Sequence, residues 1–230
     1  MTRKISTLCA VMLSASALAA PVFLTPDNTA PSLLLPKPPT DASPAAVAEL
    51  AELHRIEMAR TPETLARAKY DDKTENTSIF SPIMGEGFDL KALPATARMF
   101  ATIRADEQAA ANAAKLYFKR HRPWIVDASL QSCSKGDAPE SSYPSGHATM
   151  GYAMGMVLAA LAPQQAQAIL NRADEYAENR LVCGMHFRRD IEAGHVLGTV
   201  VALHLMQNVQ FMAQYDAAAA ELRAAHVITE

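Results

Sequence analysis

The sequence predicts an all-α fold, one compact helical domain entered through an extended Pro-rich arm. Three observations carry that reading. Ala, Leu and Met abound while aromatic residues make up only 6% of the chain, a balance that favours helices over strands. Apolar residues recur at helical spacing along most of the length. The prolines punctuate these stretches at their starts instead of interrupting them. With 230 residues, 50% of them hydrophobic, the chain can fill a sizeable core, which excludes extensive disorder. Nine glycines and three cysteines exclude collagen-like and disulfide-dense scaffolds. A formal charge of -3 speaks against a nucleic-acid binder.

Residues 1–19 read as a targeting segment. Arg3 and Lys4 precede a short apolar run from Ile5 to Leu13, and Ala17-Leu18-Ala19 offers a cleavage site. As an uncleaved anchor, the run is too short for a hydrocarbon core that needs about 20 apolar residues. The expected location is therefore the bacterial periplasm or the exterior. Removal would leave 19 basic and 24 acidic residues, a charge of -5, and would take Cys9 away. Cys133 and Cys183 then remain, as one disulfide in an oxidising compartment or as two separate buried thiols.

From residue 20 to Pro44 the chain is Pro-rich and aperiodic, an extended arm on the surface. The helical domain then runs from 45 to 230. Ser43-Pro44 caps and opens a helix with Val47, Leu50, Leu53 and Ile56 on one face, and Thr61-Pro62 opens a second. Asp71, Asp72, Asn76 and Ser78, followed by Pro82, Gly85 and Gly87, read as a long loop. Residues 95–122 hold no Gly or internal Pro and should be helical nearly throughout, stopping before Pro123. After a loop containing Cys133, Gly136 and Pro139, the almost wholly apolar stretch His147 to Leu161 should be a helix surrounded by protein. Helices from Pro163 to about Arg180, Ile191 to Met206 and Phe211 to Arg223 complete the set. No apolar run reaches 18 residues, so the mature protein is expected to be soluble, with no membrane association once the signal is removed. The apolar helices leave room for a homo-oligomer interface.

Three clusters could carry chemistry. Lys115 to Pro123 packs basic residues into an otherwise acidic protein. On a continuous helix Lys115 and Arg122 would share a face and could hold a dianion, or form a solvated basic face. Tyr143-Pro144-Ser145-Gly146-His147 opens the apolar helix. A helix start offers free N–H groups to an anion, with Gly146 allowing close approach and the Ser145 hydroxyl adding a donor; the bland alternative is a plain Ser cap. In the third cluster, on a helix from His186 onward, Asp190 would lie one turn further along the same face; its carboxylate could accept from Nδ1–H and free the Nε2 lone pair for a base, a metal ligand or a nucleophile, or the two could form a plain surface pair.

Taken in order, Lys115-(six residues)-Arg122-Pro123, Pro144-Ser145-Gly146-His147 and Arg180-(five residues)-His186-(three residues)-Asp190 resemble the three-part signature of the type 2 phosphatidic acid phosphatase (PAP2) superfamily. The secretion signal, length, Pro-rich lead-in and cysteine pair are most similar to its class A bacterial non-specific acid phosphatases. One residue departs from the pattern: Asn179 stands where the family has Ser before the third-motif Arg. The resemblance implies a PAP2/haloperoxidase-like helix bundle that hydrolyses phosphate monoesters, with phosphotransfer to alcohols as a side activity. Lys115, Arg122, Ser145, Gly146 and Arg180 would bind phosphate. His186 would attack phosphorus and form a phosphohistidine, Asp190 would stabilise the imidazolium, and His147 would protonate the leaving oxygen and later activate water. Such chemistry needs no metal or other cofactor, so activity should survive EDTA, and vanadate should compete with substrate. Anionic neighbours are expected to favour the charged form of both imidazoles and give a bell-shaped profile on the acid side. The resemblance also supports pairing Cys133 with Cys183. Rival readings are a vanadium-dependent haloperoxidase, a zinc hydrolase built on His147, His186, Asp190 and His195, and a catalytically weakened binding protein for phosphate esters.

Overall fold

The computed structural model describes residues 20–229; residues 1–19, read as a targeting segment and including Cys9, lie outside them. Ten α-helices order the described residues: α1 (Pro31–Leu34), α2 (Pro44–Ala59), α3 (Pro62–Lys73), α4 (Ser81–Met84), α5 (Pro94–Phe118), α6 (Pro123–Val126), α7 (Gly146–Leu161), α8 (Ala166–Val182), α9 (Arg188–Gln207) and α10 (Val209–Ala224). Short 3-10 turns at Thr77–Phe80 and Pro163–Gln165 precede α4 and α8. The all-α reading holds. Pro stands at the start of α2, α3 and α5, where its missing N–H has no intrahelical partner to lose. Ser43 caps α2 by accepting from Ala46 N, and Thr61 and Thr64 cap α3 reciprocally.

α7 is the axis of the core. Its residues from Ala148 to Leu161 are nearly all buried, and it is packed chiefly by α9 and α8, with α5 alongside. α9 comes closest because it places Gly194 against the first turn of α7. A Cβ built on Gly194 would lie 2.6 Å from Ala148 Cβ and 2.8 Å from Ser145 O, inside contact distance, so no larger residue fits that seam. Ser145 N donates to Asp190 O at 2.9 Å across the same seam. α10 covers α5 and α9, and its Glu221 carboxylate caps α5 by accepting from Ala95 N at 3.0 Å and Thr96 N at 2.8 Å.

The arm is anchored more firmly than a surface lead-in. Leu24 and Leu35 are buried in the core. The buried Asp106 carboxylate of α5 accepts from Val22 N at 2.8 Å and Leu24 N at 3.1 Å, while Pro36 O accepts from the Tyr143 hydroxyl.

Two elements differ from expectation. The stretch read as a long loop is mostly ordered helix. Asp71 and Asp72 close α3, Asn76 caps the 3-10 turn through Ser78 N, and Ile79, Phe80 and Met84 enter the core. Carboxylates oppose the dipole at a helix C-terminus, but Arg172 pairs with Asp71 and Arg180 with Asp72, which offsets that cost. The helix expected to run to Arg122 ends at Phe118. Lys119 adopts the left-handed region at φ 48, and Arg122, held extended by Pro123, gives its N–H to Pro139 O. Lys115 and Arg122 therefore do not share a helix face; the reversal at Lys119 brings them to one site by another route.

Candidate active site

The site forms where the start of α7, the turn after α5 and the turn between α8 and α9 meet. Ser145 is the N-cap of α7 and is fully buried; its oxygen accepts from Ala148 N at 3.3 Å. Capping uses only an acceptor lone pair, so the hydroxyl proton remains available to an anion. The cap and the anion-binding readings are therefore compatible. The Lys115 side chain reaches over Gly146: a Cβ there would stand 3.6 Å from Nζ. The ammonium thus lies beside the positive end of α7.

His186 is buried at 1% exposure. It precedes α9 instead of belonging to it, so the expected one-turn relation to Asp190 does not apply. Its Nδ1 lies 2.8 Å from Ser142 O and 3.4 Å from Asp190 Oδ2. A carbonyl only accepts, so Nδ1 carries the hydrogen and Nε2 the lone pair. Nε2 accepts from Arg122 Nη1 at 2.8 Å. The expected tautomer is present, but the Ser142 carbonyl is its nearest anchor. Asp190 braces the arrangement from behind: its carboxylate accepts from Arg120 Nη1, from Ser142 Oγ at 2.6 Å and from Phe187 N at 2.8 Å.

Arg122 is fixed by donating to Met185 O at 2.9 Å and to Ser141 Oγ, and pairs with Asp137 at 2.9 Å. Arg180, on the last turn of α8, is 1% exposed; it pairs with Asp72, while its Nε is buried without a partner. Gly184, at φ 62, turns the chain from α8 toward His186 in a conformation that suits glycine. The largely buried His147 stacks on Tyr176 with ring centroids 5.5 Å apart, and its Nε2–H donates to Asp72 O at 3.1 Å. Cys133 and Cys183 form a disulfide, and Cys133 N donates to Cys183 O at 2.9 Å. The bridge ties the loop after α6 to the end of α8, three residues beyond Arg180.

The PAP2 superfamily pattern matches residues 96–213, about half of the chain and all three clusters. The chain belongs to the PAP2 superfamily. Among similar proteins, an acid phosphatase of Zymomonas mobilis subsp. mobilis is 30% identical to this PAP2 chain over 183 residues, 76% of this chain and 69% of that protein. A non-specific acid phosphatase of Salmonella typhimurium is 33% identical over 136 residues, 56% of this chain and 54% of that protein. One of Providencia stuartii is 26% identical over 193 residues, 80% and 77% of the two chains.

The electrostatics of this PAP2 site correct one expectation. Burial holds both His147 and His186 well below the usual histidine range. Arg180 adds to this at His147, and Arg122 and Arg180 add to it at His186. Cations outweigh the carboxylates because Asp190 is already matched by Arg120 and Asp72 by Arg180. Burial, then Arg122, likewise pushes Lys115 down to about 8.

Sequence reasoning overlooked Arg120, Glu49, Ser142 and Asp72. Arg120 is buried under the Phe187 ring, bridging Asp190 and Glu49 at 2.6 Å; its position inside the basic cluster was the available signal. Asn179 Nδ2 donates to Asp71 Oδ2 at 2.7 Å, tying α8 to α3 just before Arg180. His195, the fourth member of the zinc reading, stacks on Tyr152.

Proposed function

We propose that this PAP2 protein is a metal-independent acid phosphatase that hydrolyses a broad range of phosphate monoesters through a phosphohistidine on His186, and that it works in the periplasm or outside the cell. The observation that carries the reading is the His186 ring. Its Nδ1–H is committed to Ser142 O, its Nε2 lone pair meets the Arg122 guanidinium, and a dianion drawn to Arg122 would bring phosphorus to that nitrogen.

Lys115, Arg122 and Arg180 supply the charge that phosphoryl transfer requires around its equatorial oxygens, and the unpartnered Arg180 Nε is a donor ready for one of them. The Ser145 hydroxyl and Gly146 N–H add neutral donors at the start of α7. In the first step the Nε2–P bond forms as the ester P–O bond breaks. His147 gives its proton to the leaving oxygen from Nδ1, since Nε2–H is occupied by Asp72 O. Asp190 stabilises the imidazolium behind His186. In the second step His147 takes a proton from water, which attacks phosphorus and releases His186; an alcohol in place of water gives phosphotransfer. The disulfide supports an oxidising location.

The decisive experiment is a rapid quench with radiolabelled substrate. We expect acid-labile, alkali-stable label on His186, and neither label nor p-nitrophenyl phosphate turnover in His186→Ala. A fully active His186→Ala protein would overturn the proposal.

A further inference from the structure

α5 continues past the phosphate cradle, and the turns before Lys115 line the same space. Arg104, Glu107, Gln108 and Asn112 stand on one face of that helix and, with Lys115 and His147, bound a cavity of about 180 Å³. In the proposed reaction His147 protonates the leaving oxygen, so the alcohol of the ester belongs on the side that His147 faces. His186, which must attack from the opposite side, is not part of the cavity wall.

The wall has a definite chemistry. α5 contributes a guanidinium, a carboxyl and two amides, and nothing apolar larger than Ala111. An aromatic leaving group there would displace water from polar groups without replacing the hydrogen bonds. Glu107 is fully buried; one carboxyl oxygen is held by Arg104, while Oε2 is buried without a partner. Such an atom is costly unless something binds it. Burial also holds this carboxyl up at about 7 against the pull of Arg104. In mildly acid solution it can therefore both donate and accept, as a substrate hydroxyl does. Gln108 and Asn112 offer the same dual character. Glu75 and Asp137 at the rim repel a second anionic group. The volume is below that of pockets for drug-sized ligands and suits a short polyol or a single sugar ring.

We propose that Glu107, Gln108 and Asn112 form a leaving-group subsite that, within the broad range of esters hydrolysed, favours phosphate monoesters of small polyhydroxylated alcohols over alkyl and aryl esters. The inference rests on the phosphatase reading above. The test compares kcat/KM for glycerol 1-phosphate and propyl phosphate, which differ only in hydroxyls, in wild type, Glu107→Leu and the half-exposed pair Gln108→Ala/Asn112→Ala. We expect wild type to favour the glycerol ester by about tenfold to a hundredfold, the range of one or two hydrogen bonds, and both variants to bring the ratio toward one. A purely structural Glu107 would lower both substrates equally and leave the ratio intact. A wild-type ratio near one, or a ratio unchanged in both variants, overturns this inference alone. Absence of turnover on any phosphate monoester overturns the phosphatase reading and this one with it.

Discussion

In the proposed mechanism the two histidines, both held well below the ordinary basicity of the residue, carry opposite duties, and that difference governs the expected pH response. His186 must be neutral to attack, and a pKa well below the usual range keeps it neutral in acid solution. His147 must be protonated to serve the leaving group, and its pKa, also held well below the usual range, means that this proton is lost early as pH rises. Because kcat/KM reports the free enzyme, its alkaline limb is expected below 6.5, the ordinary histidine value. A pH series with p-nitrophenyl phosphate checks this; a plateau reaching pH 8 would contradict it. An acid optimum is therefore still expected, for a reason opposite to the first one: burial, reinforced by buried cations, lowers both imidazoles, where anionic neighbours would have raised them. Residue types and spacing were legible from the sequence because chemistry demands them. The partners were not: Ser142 lies 44 positions from His186 and Glu49 lies 71 from Arg120, distances over which no local pattern speaks.

At the scale of elements, the helices that bear the apolar repeat were read nearly to their boundaries, since periodicity and Pro starts act locally. The failures have local causes as well. Lys119 takes a left-handed cap that usually falls to Gly or Asn, so nothing in the composition announced the end of α5. Asp71 and Asp72 prolong α3 only because arginines from α8 neutralise them. The seam between α7 and α9 is the element contact on which the site most depends. Gly194→Ala would force a Cβ against Ser145 O, and we expect a loss of about 1–3 kcal/mol together with a fall in kcat, as Ser145 is displaced from Asp190 O. Denaturant unfolding and steady-state kinetics on one preparation measure both; unaltered stability would mean that the seam opens freely.

For the whole molecule, the all-α class followed from composition, whereas the way the arm is fastened did not, because Asp106 recognises main-chain N–H groups that every sequence has. The disulfide closes a long loop, its cysteines 50 residues apart. Replacing both cysteines by Ser should destabilise the fold by about 2–4 kcal/mol and lower activity further as the Arg180 turn loosens; calorimetry and kinetics of the double variant check this, and an unchanged melting temperature would count against it.

The cavity's two walls differ in how much change they tolerate. On the α7 side Gly146 and His147 line it at a helix start whose backbone is packed directly on Gly194 of α9, and almost any altered side chain in that seam would disturb the groups proposed to act in catalysis. Along α5 the boundary consists of side-chain tips that can be exchanged without moving the main chain. Divergence toward new esters, in nature or by directed evolution, should therefore accumulate on α5, leaving the phosphoryl-transfer apparatus as a fixed chassis.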